Sequence, residues 1–154
     1  MNWPTATLDN GARARIIAAA VPSAAVEDVV VDAPYREVWQ WLSDLERSVP
    51  ELDPTVGGLK VLSRDGERWR IRASAPVVPV MLPFDARMED GFCLMRAKWR
   101  LFLVVMAATP LDEHRTRITH VEGIPLPFTR WLRPLLRRFV RLDIKGMARH
   151  FRRD

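Results

Sequence analysis

The chain has 154 residues, 48% of them apolar, and a formal net charge of +5. That composition fits one globular domain with one sizeable core and excludes disorder, which needs fewer apolar residues and more net charge; no run reaches the roughly 18 apolar residues of a membrane span. The charge is uneven, since residues 127–154 carry nine basic residues against Asp143 and Asp154, a surplus of +7, and the rest of the chain sums to −2.

Residues 1–24 show no clear amphipathic period and read as an N-terminal extension, a short helix or an arm, ahead of a domain over 25–154. The apolar stretch Ile16–Val21 is too short for a secretory signal core, and Asp9 spoils a basic lead. Residues 25–32 are rich in β-branched side chains and predict a strand. Asp32-Ala33-Pro34 marks a helix start, with Asp32 as cap and Pro34 in the first turn. Val38, Trp39, Leu42 and Leu45 then follow at helical spacing. Asp44 can cap a second short helix through Val49, before Pro50 and Pro54 break the pattern.

Gly57-Gly58 opens a run of strands. Leu59–Ser63 is followed by Asp65-Gly66, a hairpin turn signal. Glu67–Ala75 alternates, with Trp69, Ile71 and Ala73 on one face and Arg68, Arg70 and Arg72 on the other. Pro76–Pro79 predicts a bend. Val80–Glu89 places Leu82, Phe84, Ala86 and Met88 opposite Asp85, Arg87 and Glu89, and Asp90-Gly91 is a second turn. Phe92–Arg100 places Cys93, Met95, Ala97 and Trp99 opposite Arg96, Lys98 and Arg100. Phe102–Pro110 is apolar on both faces, and Arg115–Gly123 is the last strand. One long helix is expected over about 128–152, with Phe128, Leu132, Leu135, Leu136, Phe139, Gly146 and Met147 on one stripe and cations opposite. The expected class is α+β: a curved antiparallel sheet of roughly six or seven strands needs its apolar face covered, and the terminal helix is the only large element that can cover it.

The segment Val29-Val-Val-Asp-Ala-Pro-Tyr-Arg-Glu-Val-Trp-Gln-Trp-Leu-Ser-Asp-Leu-Glu-Arg resembles the START/Bet v 1-like (SRPBCC) superfamily, in particular its bacterial polyketide cyclase/dehydrase-type proteins. It is similar to that family's opening strand, its Ala-Pro-x-x-x-Val-Trp helix start and its Ser-Asp-Leu-Glu turn. The resemblance implies a helix-grip fold over roughly residues 25–152, with a cavity between sheet and C-terminal helix for a hydrophobic small molecule: a lipid, a quinone or a polyketide-like compound. It supplies no catalytic residue, because the matched residues are structural in the family.

The chain carries no nucleotide-binding loop, zinc signature or Ser/His/Asp motif, and no metal or cofactor is expected. Cys93, the only cysteine, excludes an internal disulfide and points to a reducing, cytoplasmic setting; its apolar neighbours favour a buried, inert thiol over a nucleophile. Candidate chemistry therefore rests on polar residues expected to face inward. His120 alternates with Ile118 and Glu122, and either meets a ligand as hydrogen-bond partner or general base, or is satisfied by nearby backbone. Asp143 sits on the apolar stripe of the long helix, with His150 one heptad on. It can hold a ligand hydroxyl, tune His120, pair with an arginine from the sheet, or mark where the helix leaves the core. Gly146 makes room for a ligand or for Trp99 or Trp69. Trp69, Phe84, Trp99, Phe139, Met88, Met95, Met106, Ile118 and Met147 are expected to line the interior with them.

Three functions follow as expectations. One is non-catalytic binding of a hydrophobic molecule. Another is a cyclase or dehydratase with His120 as base and Asp143 as its partner. The last is contact with an anionic membrane or acidic partner through Arg130, Arg137, Arg141 and Lys145. The basic stripe lacks interleaved aromatics for base stacking, so no nucleic acid is expected, and the protein is expected to be a monomer or homodimer.

Overall fold

The computed structural model describes residues 8–53, 56–74 and 81–152. Pro54, the Pro76–Pro79 bend and the first residues of the chain lie outside them. The elements run α1 (Asn10–Ala19), β1 (Ala25–Val31), α2 (Tyr35–Ser43), α3 (Leu45–Leu52), β2 (Gly58–Asp65), β3 (Arg68–Ser74), β4 (Met81–Glu89), β5 (Phe92–Ala97), β6 (Leu103–Pro110), β7 (Thr116–Gly123) and α4 (Arg133–His150), with single 3₁₀ turns at Lys98–Arg100 and Arg130–Leu132.

The strands form one seven-stranded antiparallel sheet in the order β1-β7-β6-β5-β4-β3-β2. The Asp65-Gly66 and Asp90-Gly91 signals are the β2–β3 and β4–β5 turns, with Gly66 at φ 55° and Gly91 at φ 74°, where a side chain would be strained. Alternation sends Ile71, Ala86, Met95, Met106 and Ile118 inward, onto the main core with α2, α3 and α4. Leu103, Val105, Ala107 and Val121 face the other way, onto a second core beneath α1. This explains why β6 is apolar on both faces. The N-terminal segment is thus a helix laid on the outer sheet face, and its buried stripe is Gly11, Ala14 and Ala18. Asp9 caps it by accepting from the Ala12 amide at 2.8 Å, Arg15 pairs with Asp28 of β1, and Arg13 pairs with Glu89 of β4 at 2.9 Å.

Several local expectations are corrected. Asp32 does not cap α2; Pro34 holds the N-cap position and no side chain bonds there. α3 runs past Val49 and contains Pro50. The terminal helix starts at Arg133, with Pro134 in its first turn, rather than at residue 128, because Phe128 turns the chain at φ 63°. Its buried stripe is Leu136, Val140, Asp143, Ile144 and Met147, so the inward face is rotated from the expected one and Phe128 and Leu135 lie outside. Gly146 packs on Leu52 of α3, whose Cδ2 would stand 3.3 Å from an added Cβ, and not on Trp69 or Trp99.

Candidate functional site

Between the concave sheet face and the helices lies a cavity of about 270 Å³. Its walls are Val49 and Leu52 of α3, Leu136, Phe139 and Asp143 of α4, and inward side chains from β2 to β7: Leu59, Ile71, Ala73, Ser74, Leu82, Phe84, Met95, Val104, Met106, His120 and Glu122. Asp53, Val56 and Phe102 complete the lining. Period-2 strands place one inward residue in every two, and the register aligns Met106 with His120 and Val104 with Glu122 across β6 and β7. The two polar residues of β7 therefore stand side by side in an otherwise apolar wall.

α4 brings Asp143 onto them. His120 Nε2 lies 3.1 Å from Asp143 Oδ2 and 3.4 Å from Glu122 Oε1, and all three side chains are almost wholly buried. Burial alone would depress the imidazole, but hydrogen bonds and attraction from Asp143 and Glu122 outweigh it and push its pKa up to about 10. Burial raises the Asp143 carboxyl, against the stabilising hydrogen bond from His120. At neutral pH His120 is therefore an imidazolium, beside the carboxyl groups of Asp143 and Glu122. The Nδ1 atom of His120 is buried without a hydrogen-bond partner among the described residues. One nitrogen or oxygen of each of His120, Glu122 and Asp143 lies within 4.8 Å of the other two.

Phe84, Met95, Met106, His120, Phe139 and Asp143 all border the cavity. Ile118 and Met147 are fully buried in the packed core instead, and Trp69 and Met88 pack half-buried at its edge. Trp69 donates its indole N–H to the Gly66 carbonyl at 3.2 Å and carries the Arg64 guanidinium over its ring, which fixes it at the β2–β3 turn. Trp99 is the clear correction: β5 ends at Ala97, Trp99 and Arg100 adopt φ 59° and 58°, and the indole is 74% exposed. His150 stacks on Trp41 with ring centroids 3.9 Å apart, outside the cluster. Burial pushes the Cys93 thiol up to about 12, so it stays protonated and inert. The basic residues Arg130, Arg137, Arg141 and Lys145 are all exposed, and Arg141 pairs with Glu27 of β1 at 3.0 Å. Sequence reasoning did not assign a role to Glu122, although its position two residues from His120 carried the signal. The α3 wall, Val49 and Leu52, had no such signal.

No family model matches the chain, and no curated protein matches it at a significant level. Solved structures do. The Zhui aromatase/cyclase from Streptomyces sp. R1128 superposes with a TM-score of 0.61 at 14% identity, over 82% of this chain and 92% of that one. A START superfamily protein from Mycobacterium smegmatis superposes with a TM-score of 0.60 at 15% identity, over 84% and 99%. A protein from Thermus thermophilus gives 0.60 at 22% identity, over 83% and 96%. The sheet order, the terminal helix and these superpositions together show that the chain has the START/Bet v 1-like helix-grip fold.

Proposed function

We propose that the protein binds a hydrophobic small molecule in the cavity, with a polar group of that molecule turned toward His120, Glu122 and Asp143. The observation that carries this reading is a mainly apolar cavity with a buried, charged cluster in one wall. Apolar pockets with a few convergent polar groups are the usual form of small-molecule sites. A volume of about 270 Å³ is at the low end of the roughly 300–1,000 Å³ range for such pockets, which favours a compact ligand, a quinone or polyketide-like ring system, over a whole diacyl lipid. Native mass spectrometry of the purified protein, followed by extraction, tests the proposal. An adduct identified as an apolar compound with an oxygen function supports it. A protein that emerges empty and takes up no quinone, fatty acid or aromatic probe contradicts it.

The His120–Asp143 contact of 3.1 Å on the cavity wall favours a second reading, a cyclase or dehydratase on a polyketide-like substrate. The roles then differ from those expected from sequence. An imidazole with a pKa of about 10 is protonated at neutral pH and acts as general acid, giving its proton to a leaving hydroxyl or a carbonyl oxygen. Asp143, whose carboxyl burial raises, accepts the proton lost from carbon. Turnover of a poly-β-ketone analogue that falls at least tenfold in both His120→Gln and Asp143→Asn, with ligand uptake retained, is the expected result for this reading; undiminished turnover contradicts it.

A further inference from the structure

We infer that the outer face of α4 and the turns beside its N-terminus form a docking surface for an anionic lipid bilayer. This surface is on the opposite side of α4 from the cavity and does not depend on the ligand reading. The α4 stripe facing away from the core runs Leu135, Arg138, Leu142, Lys145 and Arg149, spaced three and four residues apart and so aligned on one face. Leu135 is 51% and Leu142 46% exposed. A solvated helix face has no need of leucines between its cations; a helix lying in a bilayer interface uses both.

The charges on this face are unsatisfied. Arg137, Arg138, Lys145 and Arg149 are exposed and pair with no acid among the described residues. Together with Arg133 and Arg141, three of them border a surface recess of about 470 Å³, a cationic hollow suited to lipid phosphates. Exposed aromatics cluster at the N-terminal end of the helix, where Phe128 is 90% and Trp131 76% exposed. The Trp99 turn, with Lys98 and Arg100, borders the same surface cleft as Pro125, Leu126 and Pro127, the residues that lead into Phe128. Trp99 and Phe128 both occupy left-handed backbone conformations, which cost free energy in bulky residues. Two strained turns that present bare aromatics to solvent gain nothing for the core. Aromatic rings beside Lys and Arg are the side chains that settle at the membrane–water interface.

The test uses the full chain and vesicles of phosphatidylcholine alone or mixed with phosphatidylglycerol, read by cosedimentation. Binding is expected to the mixed vesicles only, with release at high salt. The triple variant Arg138→Glu, Lys145→Glu, Arg149→Glu is expected to bind them at least ~100-fold more weakly, at about fivefold for each cation lost near an anionic surface. The double variant Trp99→Gly, Phe128→Gly relieves the two strained conformations, so it is expected to unfold at the same temperature or higher while losing vesicle binding. A core role for either side chain would instead lower that temperature. No binding to the mixed vesicles, or binding unchanged in the triple variant, overturns the proposal. So does retention on single-stranded RNA without vesicle binding, which would assign the cations to a nucleic acid.

Discussion

His120 stands between two carboxylates that β7 and α4 bring together, and its protonation is the most exposed part of the account. The imidazole is expected to stay protonated through neutrality in an NMR titration, and to titrate nearer its ordinary range in Glu122→Gln or Asp143→Asn. Because its folded pKa, about 10, lies above the ordinary 6.5, its contribution to stability is complete below the unfolded value and is lost as pH rises toward 10. Denaturant melts of wild type and His120→Ala should therefore converge as pH rises through that window; a gap that widens would contradict the assignment. Near neutrality, His120→Ala breaks the buried pair with Asp143 and should cost about 3–5 kcal/mol. At this scale the sequence was informative where a polar residue interrupted an apolar face: His120 and Asp143 stood out for that reason. It was misleading at Trp99, because alternation along Phe92–Arg100 carries no sign of the left-handed turn that ends β5. No glycine, asparagine or proline marks that turn.

Elements with a strong period were legible before the structure. The β3 and β4 alternations, both Asp-Gly turns and the existence of the terminal helix all follow from spacing. The phase of α4 did not follow, since leucines and phenylalanines occur on both of its faces and only packing decides which are buried. α1, legible only as a short helix or an arm, was left undecided for a different reason. Its buried stripe is Gly11, Ala14 and Ala18, small residues that let the helix lie close to the sheet but give no hydrophobic contrast, while Ile16 points outward. The segment after it is packed as tightly: a Cβ on Gly123 would stand 2.8 Å from Val21 Cγ1 and 3.2 Å from Ala24 Cβ. Gly123→Ala should therefore destabilise the protein by about 1–3 kcal/mol through overpacking, measured as a lowered urea midpoint. An unchanged midpoint would mean that the Val21–Ala24 segment yields freely.

For the molecule as a whole, the sheet is covered on both faces by helices of opposite design. α1 covers the outer face at β6, β7 and β1 with small residues, and the space between the inner face, α3 and α4 stays open as the cavity. The fold was legible because a long amphipathic helix after a run of hairpins has one way to bury both apolar faces. The cavity was not, because a sequence lists what can face inward but not the volume left over, and Ile118 and Met147 fill core that was equally open to a ligand on paper. No helix among the described residues is long and apolar enough to cross a membrane, so the bilayer contact inferred for α4 is one made at the interface. The central claim is that the cavity takes a ligand, and the most direct test is titration with a fluorescent apolar probe of wild type and of Ala73→Trp, which places an indole in that space. The account predicts saturable binding by the wild type and at least tenfold weaker binding by a folded Ala73→Trp variant. Equal binding by the two, or none by the wild type, would contradict it.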